Sequence, residues 1–430
     1  MIRISIMNKI WIIIFLFMWT TFSCVDNKIS NEISVIDIAS NVFNLEKVYL
    51  SDFASKINYI PLENNIDFPI GGVVTRAYID FSDDYIIDSD GMRCILYNSK
   101  GVFIRPIGRI GRGPGEYGGV TNVFIRGNKI FVHDYLNDDL LEYSVDGSFI
   151  DRHDSGFKPK GILMVDYRNA YLLNDSLIML NIDNISGKEE NKAYLFNMEG
   201  TIVKAYRNYI FYNFEQSDPY GWPVYHTFEG NLYFKEVRND TLFMLDKSYR
   251  MLPIYVFNLG KYGVPLNEPV TRNPSYITVD GIFQTGKYIF LDCYYGDYFT
   301  AKRFTPRYVT LPNGVVTYWT NSNNILGLYE KTTGQLVFSE PTDGDNPLYS
   351  SGIYNDIDAG PRFMPSKMVN DSTMAMGISF NQLVSHVESD DFKNNTPKNP
   401  EQKDKLAAMV DSLKKADFDN PVYMLVTFKN

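Results

Sequence analysis

Two stretches of this chain repeat each other at a fixed offset, and that offset constrains the fold more than any other feature. Tyr85-Ile-Ile-Asp88 is followed by Cys94-Ile-Leu-Tyr97-Asn-Ser-Lys-Gly101-Val-Phe-Ile104. Ile130-Phe-Val-His-Asp134 is followed in the same way by Leu140-Leu-Glu-Tyr143-Ser-Val-Asp-Gly147-Ser-Phe-Ile150. Asp88 to Asp134, Tyr97 to Tyr143, Gly101 to Gly147 and Ile104 to Ile150 are each 46 residues apart. The unit reads strand, acidic turn, strand, tight glycine turn, strand, with glycine supplying the positive φ that a two-residue hairpin needs. A period in the forties built from short strands is the signature of a β-propeller.

Looser copies follow. Phe196-Asn-Met-Glu-Gly200-Thr-Ile-Val203 repeats the aromatic, turn, glycine and strand. Leu232-Tyr-Phe-Lys with Thr241-Leu-Phe-Met-Leu245 gives a fourth copy without its glycine. Tyr288-Ile-Phe-Leu-Asp292 and Ile325 to Phe338 give a fifth, interrupted by an insertion around residues 305–323. The sixth is incomplete: Ser372 to Ile378 and Val422 to Phe428 read as strands, and no outer strand follows before Asn430. A strand upstream of the first repeat, Ile57-Asn-Tyr-Ile-Pro-Leu62, is predicted to pair with Val422 to Phe428 and close the ring. Closure removes two exposed sheet edges, and Pro61 is tolerated at a strand edge. The expected fold is all-β, a six-bladed β-propeller over 48–430, with its last blade closed by the N-terminal strand.

A helical insertion is expected in that last blade, over about 381–420. Asp390 to Glu401 is polar and rich in Pro and Asn, hence a loop. After it, Leu406, Met409, Val410 and Leu413 share one helical face. That face is expected to pack on the side of the propeller, with partner binding as the sharper alternative.

Composition narrows the class of partner. Aromatic residues make up 15% of the chain, with 31 Tyr and 29 Phe, which suits strands. The net charge is -10 and no basic cluster occurs beyond the extreme N-terminus, so nucleic acid and anionic membrane surfaces are poor partners. Cys94 and Cys293 lie in apolar strand-like stretches and are expected to be buried thiols, although a bridge between them stays open.

The N-terminus reads as an export signal. Lys9 precedes an unbroken apolar run from Ile10 to Trp19, and Thr21-Phe22-Ser23 precedes Cys24. The run is shorter than the roughly 20 residues a membrane span needs. Residues 1–23 are expected to be a lipoprotein signal peptide, Cys24 the lipid attachment site, and 24–47 an extended tether. An ordinary secretory signal with an incidental cysteine is the plainer alternative.

Several segments resemble the bacterial six-bladed β-propeller lipoproteins, which are related to NHL-repeat propellers. They are Leu50-Ser-Asp-Phe53, Tyr59-Ile-Pro-Leu-Glu63, Gly108-Arg-Ile-Gly-Arg-Gly-Pro-Gly-Glu-Tyr117 and Asp419-Asn-Pro-Val-Tyr-Met-Leu-Val-Thr-Phe428. The resemblance weakens across Asp154 to Asp371. It implies a propeller anchored to the outer membrane of a Gram-negative bacterium, on its periplasmic face or the cell surface, beside nutrient-uptake systems. It brings no catalytic residues and no cofactor.

Candidate ligand contacts come from three places. Arg109 and Arg112 alternate with glycines ahead of Glu116 and Tyr117, in a segment that returns the chain from an outer strand to the axis. Guanidiniums spaced in this way suit a carboxylate, sulfate or phosphate, whereas the bland reading is a tight crossover in which Arg and Glu pair locally. The segment lacks the Gly-Lys-Ser/Thr ending of a phosphate loop. His133 with Asp134 offers a general base, against the structural reading that Asp134 repeats the turn role of Asp88. Tyr220 and Trp222 lie in a turn-rich aromatic run from Tyr209 to His226, suited either to stacking on sugars or to packing between blades.

The four histidines show no ligand spacing, so no zinc site is expected. Asp83, Asp84, Asp88 and Asp90 do not have the spacing of a helix-loop-helix calcium site. Neither a serine elbow nor a distinct carboxylate pair stands out. The expected function is non-catalytic binding of a glycan or peptide, or a scaffold role beside an outer-membrane transporter. A propeller enzyme with its site at the central mouth and a structural transporter subunit are the rival readings.

Overall fold

The computed structural model describes residues 33–65, 67, 79–154, 156, 158–161, 169–213, 222–265, 276–299, 307–310, 316–319, 324–341 and 352–429. The chain begins with β1 (Ser34–Asp37), β2 (Leu45–Glu46), the single-turn helix α1 (Leu50–Phe53) and β3 (Ala54–Pro61). Blade I is β4 (Ile79–Phe81), β5 (Tyr85–Ser89), β6 (Cys94–Asn98) and β7 (Phe103–Pro106). A crossover carrying β8 (Arg109–Ile110) and β9 (Glu116–Tyr117) leads to blade II: β10 (Val120–Arg126), β11 (Lys129–Asp134), β12 (Asp139–Ser144) and β13 (Phe149–His153). Blade III is β14 (Ala170–Leu172), β15 (Leu177–Asn181), β16 (Asn191–Asn197) and β17 (Ile202–Arg207).

Blade IV is β18 (Val224–Phe228), β19 (Asn231–Lys235), β20 (Thr241–Leu245) and β21 (Met251–Asn258). Blade V is β22 (Thr278–Gln284), β23 (Tyr288–Tyr294), β26 (Asn324–Glu330) and β27 (Leu336–Ser339), interrupted by the hairpin β24 (Arg307–Thr310) and β25 (Val316–Trp319). Blade VI is β28 (Lys367–Asn370), β29 (Thr373–Ile378), β30 (Val422–Phe428) and, as its outer strand, β3. The six sheets form a six-bladed β-propeller, as the repeat predicts.

Closure follows the predicted register. Ile57 pairs with Val426, Tyr59 with Met424 and Pro61 with Val422, antiparallel. Pro61 therefore sits on an outermost strand, where its missing N–H costs no ladder bond. The first strands line the axis: β4 meets β10, β18 meets β22, and β28 meets both β4 and β18.

The core is segmented by the ring. Among the described residues the buried apolar side chains fall into six clusters, one at each junction between neighbouring blades. The repeated aromatic position explains this. Tyr97, Tyr143, Phe196 and Tyr329 occupy it in blades I, II, III and V, and each fills the junction with the preceding blade. Fully burying such a ring contributes on the order of 2–3 kcal/mol. Cys94 and Cys293 are buried free thiols, as expected.

The insertion of blade VI holds α2 (Phe380–Val387), α3 (Asp390–Asn394) and α4 (Pro400–Lys415). Ser389 caps α3, within the segment expected to be a loop. Leu406 and Val410 of α4 are buried against Phe380, Leu383 and the β30 side chains, and Met409 and Leu413 pack against the same cluster. The apolar face is thus occupied by the protein's own core, and the sharper reading as a partner-binding face loses its surface.

The tether expectation needs correcting from Ser34 onward. β1 adds a fifth strand outside β21. β2 adds one outside β27 in parallel, with Leu45 opposite Phe338. Ile36, Ile38 and Val42 are buried in the blade IV–V cluster. These residues strap two blades; Cys24 lies outside the described residues.

Candidate functional site

In a four-stranded antiparallel blade, the turn between the second and third strands and the crossover to the next blade emerge at the same end. The helical insertion of blade VI, between its second and third strands, therefore emerges at the crossover end. The crossover from blade I to blade II lies there. Its two short strands pair in parallel, Arg109 with Glu116 and Ile110 with Tyr117.

Glu116 organises this crossover. Its Oε1 accepts from Arg109 Nε at 2.7 Å, and its Oε2 accepts from the Gly113 amide at 2.7 Å. The Gly113 amide first, and then Arg109, hold the carboxyl below the usual Glu range. A Cβ on Gly111 would lie 2.0 Å from Glu116 Oε2, so glycine is what lets the carboxylate fold in. Arg109 and Glu116 thus satisfy each other, which is the local-pairing reading of this segment. Tyr117 is 1% exposed and donates to the Ile107 carbonyl at 3.0 Å. It fills the blade I–II junction instead of meeting a ligand. The alternation of Arg and Gly hid this, because nothing in it marks Tyr117 as core.

Arg112 is different. Its guanidinium makes no hydrogen bond or ion pair among the described residues, and it lines a cleft of about 710 Å³. The rest of the lining includes Pro114, Leu136, Asn137, Asp139, Phe149, Asp151 and Arg152. Arg152 is held in place by Asp139 and by the Glu116 carbonyl at 2.6 Å. Asn137 donates its amide to Asp134 at 2.5 Å. Leu136 is 63% exposed and Phe149 is 37% exposed. Sequence reading missed most of this wall, because three separate segments build it. The available signal was the Asn137-Asp-Asp139 turn, which aligns with the arginine loop only once blade II is folded.

His133 is buried and does not reach the cleft as a free base. Its Nδ1 lies 2.7 Å from Thr121 Oγ1 and its Nε2 3.6 Å from Asp138 Oδ1. Asp134 is fully buried and accepts from the amides of Gly118, Gly119 and Leu136, as the structural reading of the repeat requires. Asp88, its counterpart, has its carboxyl pushed up to about 8, chiefly by burial. A carboxyl that keeps its proton is a poor cation ligand. Asp90 caps the amides of Met92 and Arg93.

The aromatic run divides. Tyr225 stacks between Tyr171 and Phe234, and His226 stacks on Tyr233. Burial, and then Lys331, push His226 down to about 3. These residues pack blades. Tyr209, Phe211 and Trp222 are exposed, with Trp222 just ahead of β18. Tyr220 lies outside the described residues. The structure therefore brings Arg109, Arg112 and Glu116 into one loop beside a cleft, and leaves Trp222 on another blade.

A family model described as Domain of unknown function (DUF4934) matches residues 33–427. No curated protein matches the chain. Among solved structures, a Bacteroides fragilis protein described as exported is 16% identical with a TM-score of 0.60, over 93% of this chain and 100% of that one. A DUF4221 member from Bacteroides vulgatus is 12% identical, TM-score 0.47, over 87% and 97%. Virginiamycin B lyase from Staphylococcus aureus is 14% identical, TM-score 0.31, over 67% and 75%. At these identities the first shows a shared fold, and the other two carry no argument.

Proposed function

The chain belongs to the family described as Domain of unknown function (DUF4934), and from that premise we propose that it is an extracytoplasmic binding protein, lipid-anchored at Cys24 and accessory to nutrient capture at the outer membrane. The ligand, a glycan or peptide, occupies the blade I–II cleft. The observation that carries this reading is Arg112, an uncommitted guanidinium beside exposed Phe149 and Leu136. A contact surface gains most from polar groups not already committed inside the protein. Four of the other candidates are committed: Glu116 and Arg109 to each other, Tyr117 and His133 to the interior.

A glycan and peptide array probed with the full chain tests this, with the double variant Arg112→Ala, Phe149→Ala as comparison. Binding that disappears in the variant supports the proposal; binding unchanged by it places the ligand elsewhere and refutes it. Loss of lipid labelling in Cys24→Ser tests the anchor.

One observation favours the enzyme reading. Thr121, His133 and Asp138 form a hydroxyl, imidazole and carboxylate series. Thr121 is 4% and His133 1% exposed, so a substrate reaches neither without opening the blade. Their burial favours a packing role.

A further inference from the structure

We infer that the junction between blades VI and I is a proton-operated clasp: blade VI stays docked on blade I while the Asp88 carboxyl carries its proton, and loss of that proton loosens this junction while the rest of the ring stays folded. The first argument is the size of the junction. Eight buried apolar side chains fill it, against 25 between blades V and VI. Apolar burial holds blades together, so a junction with less of it opens more readily than its neighbours.

The second argument is what the junction encloses. Asp88 on β5 is 1% exposed and reaches across to blade VI, where its Oδ2 accepts from the Tyr423 hydroxyl of β30 at 3.3 Å. Its Oδ1 accepts from the Ser89 amide at 2.9 Å. The titratable groups that face it are Tyr423 from β30, Cys94 and Tyr97 from β6, and Asp90 from the turn between β5 and β6. β4 places Ile79 opposite it. None of these is a cation, in contrast to Asp80 of the same blade, which has Lys367 and Arg126. The Tyr97 hydroxyl, buried in the same cluster, has no hydrogen-bond partner among the described residues. An ionised Asp88 therefore has one amide and one hydroxyl in place of its water, and parting the two blades is what hydrates it. Burial accordingly pushes the carboxyl up to about 8.

The third argument is the sign of the linkage. With the junction open, Asp88 ionises near 3.8, and with it closed near 8, so opening releases a proton between these values. The open fraction should rise about tenfold per pH unit in that interval and level off above it.

Hydrogen exchange of the full chain at pH 6 and pH 8, corrected for the intrinsic rates, tests the clasp. The amides of β5, β6 and β30 are expected to lose at least tenfold in protection between the two pH values. At pH 8 they should be at least tenfold less protected than the strand amides of blades III and IV. Asp88→Asn should remove the pH dependence. Equal protection in all blades, a seam indifferent to pH, or a variant that keeps the dependence each overturns the inference. Infrared difference spectra of the wild type give a readout independent of the variant. Loss of one buried protonated-carboxyl band is expected, with its midpoint at about 8. The absence of such a band at pH 6 overturns the clasp as well.

Discussion

Lys367 on the first strand of blade VI lies 3.3 Å from Asp80 on the first strand of blade I, so an ion pair bridges the seam where the ring closes. Asp80 also accepts from Arg126 at 2.6 Å and from the Ile125 amide at 3.1 Å. Arg126 continues to the Leu172 carbonyl in blade III at 2.9 Å. One carboxylate thus ties blades VI, I and II together near the axis.

Removing that carboxylate leaves two cations without their counter-charge. Asp80→Asn is expected to lower unfolding stability at pH 7 by about 3 kcal/mol, read as a shift in urea midpoint. Burial raises the Asp80 carboxyl, but Lys367, Arg126 and the Ile125 amide outweigh it and the net shift is downward. A depressed carboxyl stabilises the fold above its unfolded value of 3.8 and loses that contribution as pH falls through the folded value. The gap between wild type and variant should hold from pH 5 to 8 and close in acid, as pH falls below 3.8 and through the lower folded value.

Asp88 behaves oppositely. Its carboxyl, pushed up to about 8 by burial, stays protonated in the folded protein where the unfolded chain is ionised. The unfolded state then binds fewer protons at this site, so the Asp88 contribution is most favourable below 3.8 and declines as pH rises toward 8. Asp88→Asn should flatten this decline and stabilise the protein at pH 8 by at least about 1 kcal/mol relative to wild type. Denaturation series at pH 5 and 8 check it.

Gly101 and Gly147 occupy the same repeat position with φ of +82° and +84°, yet they meet different neighbours. A Cβ at Gly101 would lie 2.3 Å from the Pro61 carbonyl oxygen in the closing strand, whereas at Gly147 it would meet the flexible Arg105 side chain at 3.1 Å. Both alanine variants incur the positive-φ cost of about 1 kcal/mol. Gly101→Ala should cost clearly more, because backbone must move. Thermal unfolding of the two variants side by side measures the difference.

The helical insertion is expected to be structural. Leu406 is 2% exposed within the blade V–VI cluster, so Leu406→Ala should cost about 2–5 kcal/mol. Little change in the unfolding midpoint would mean that the helix is not packed as described.

The fold was legible wherever the sequence repeats. The 46-residue offset located Tyr97 and Tyr143, and these residues plug equivalent junctions. The same offset relates Asp80 to Arg126, so neighbouring blades meet at equivalent positions. That signal was present in the sequence but carries opposite charges, which a search for similar residues passes over. The strap was missed because β1 is four residues long and Ile36 is its one buried side chain. Burial of Tyr117 and His133 was hidden by polar neighbours. The cleft was hidden because Arg112, Leu136 and Phe149 come from three segments that only folding unites.

The most direct test of the binding account is hydrogen exchange of the full chain with and without the tightest ligand found on the glycan and peptide array. The account predicts slowed exchange in residues 107–119, 135–139 and 149–152, absent in Arg112→Gln. Protection confined to other segments, such as the stretch before β18 that carries Trp222, or protection unchanged in the variant, would contradict it.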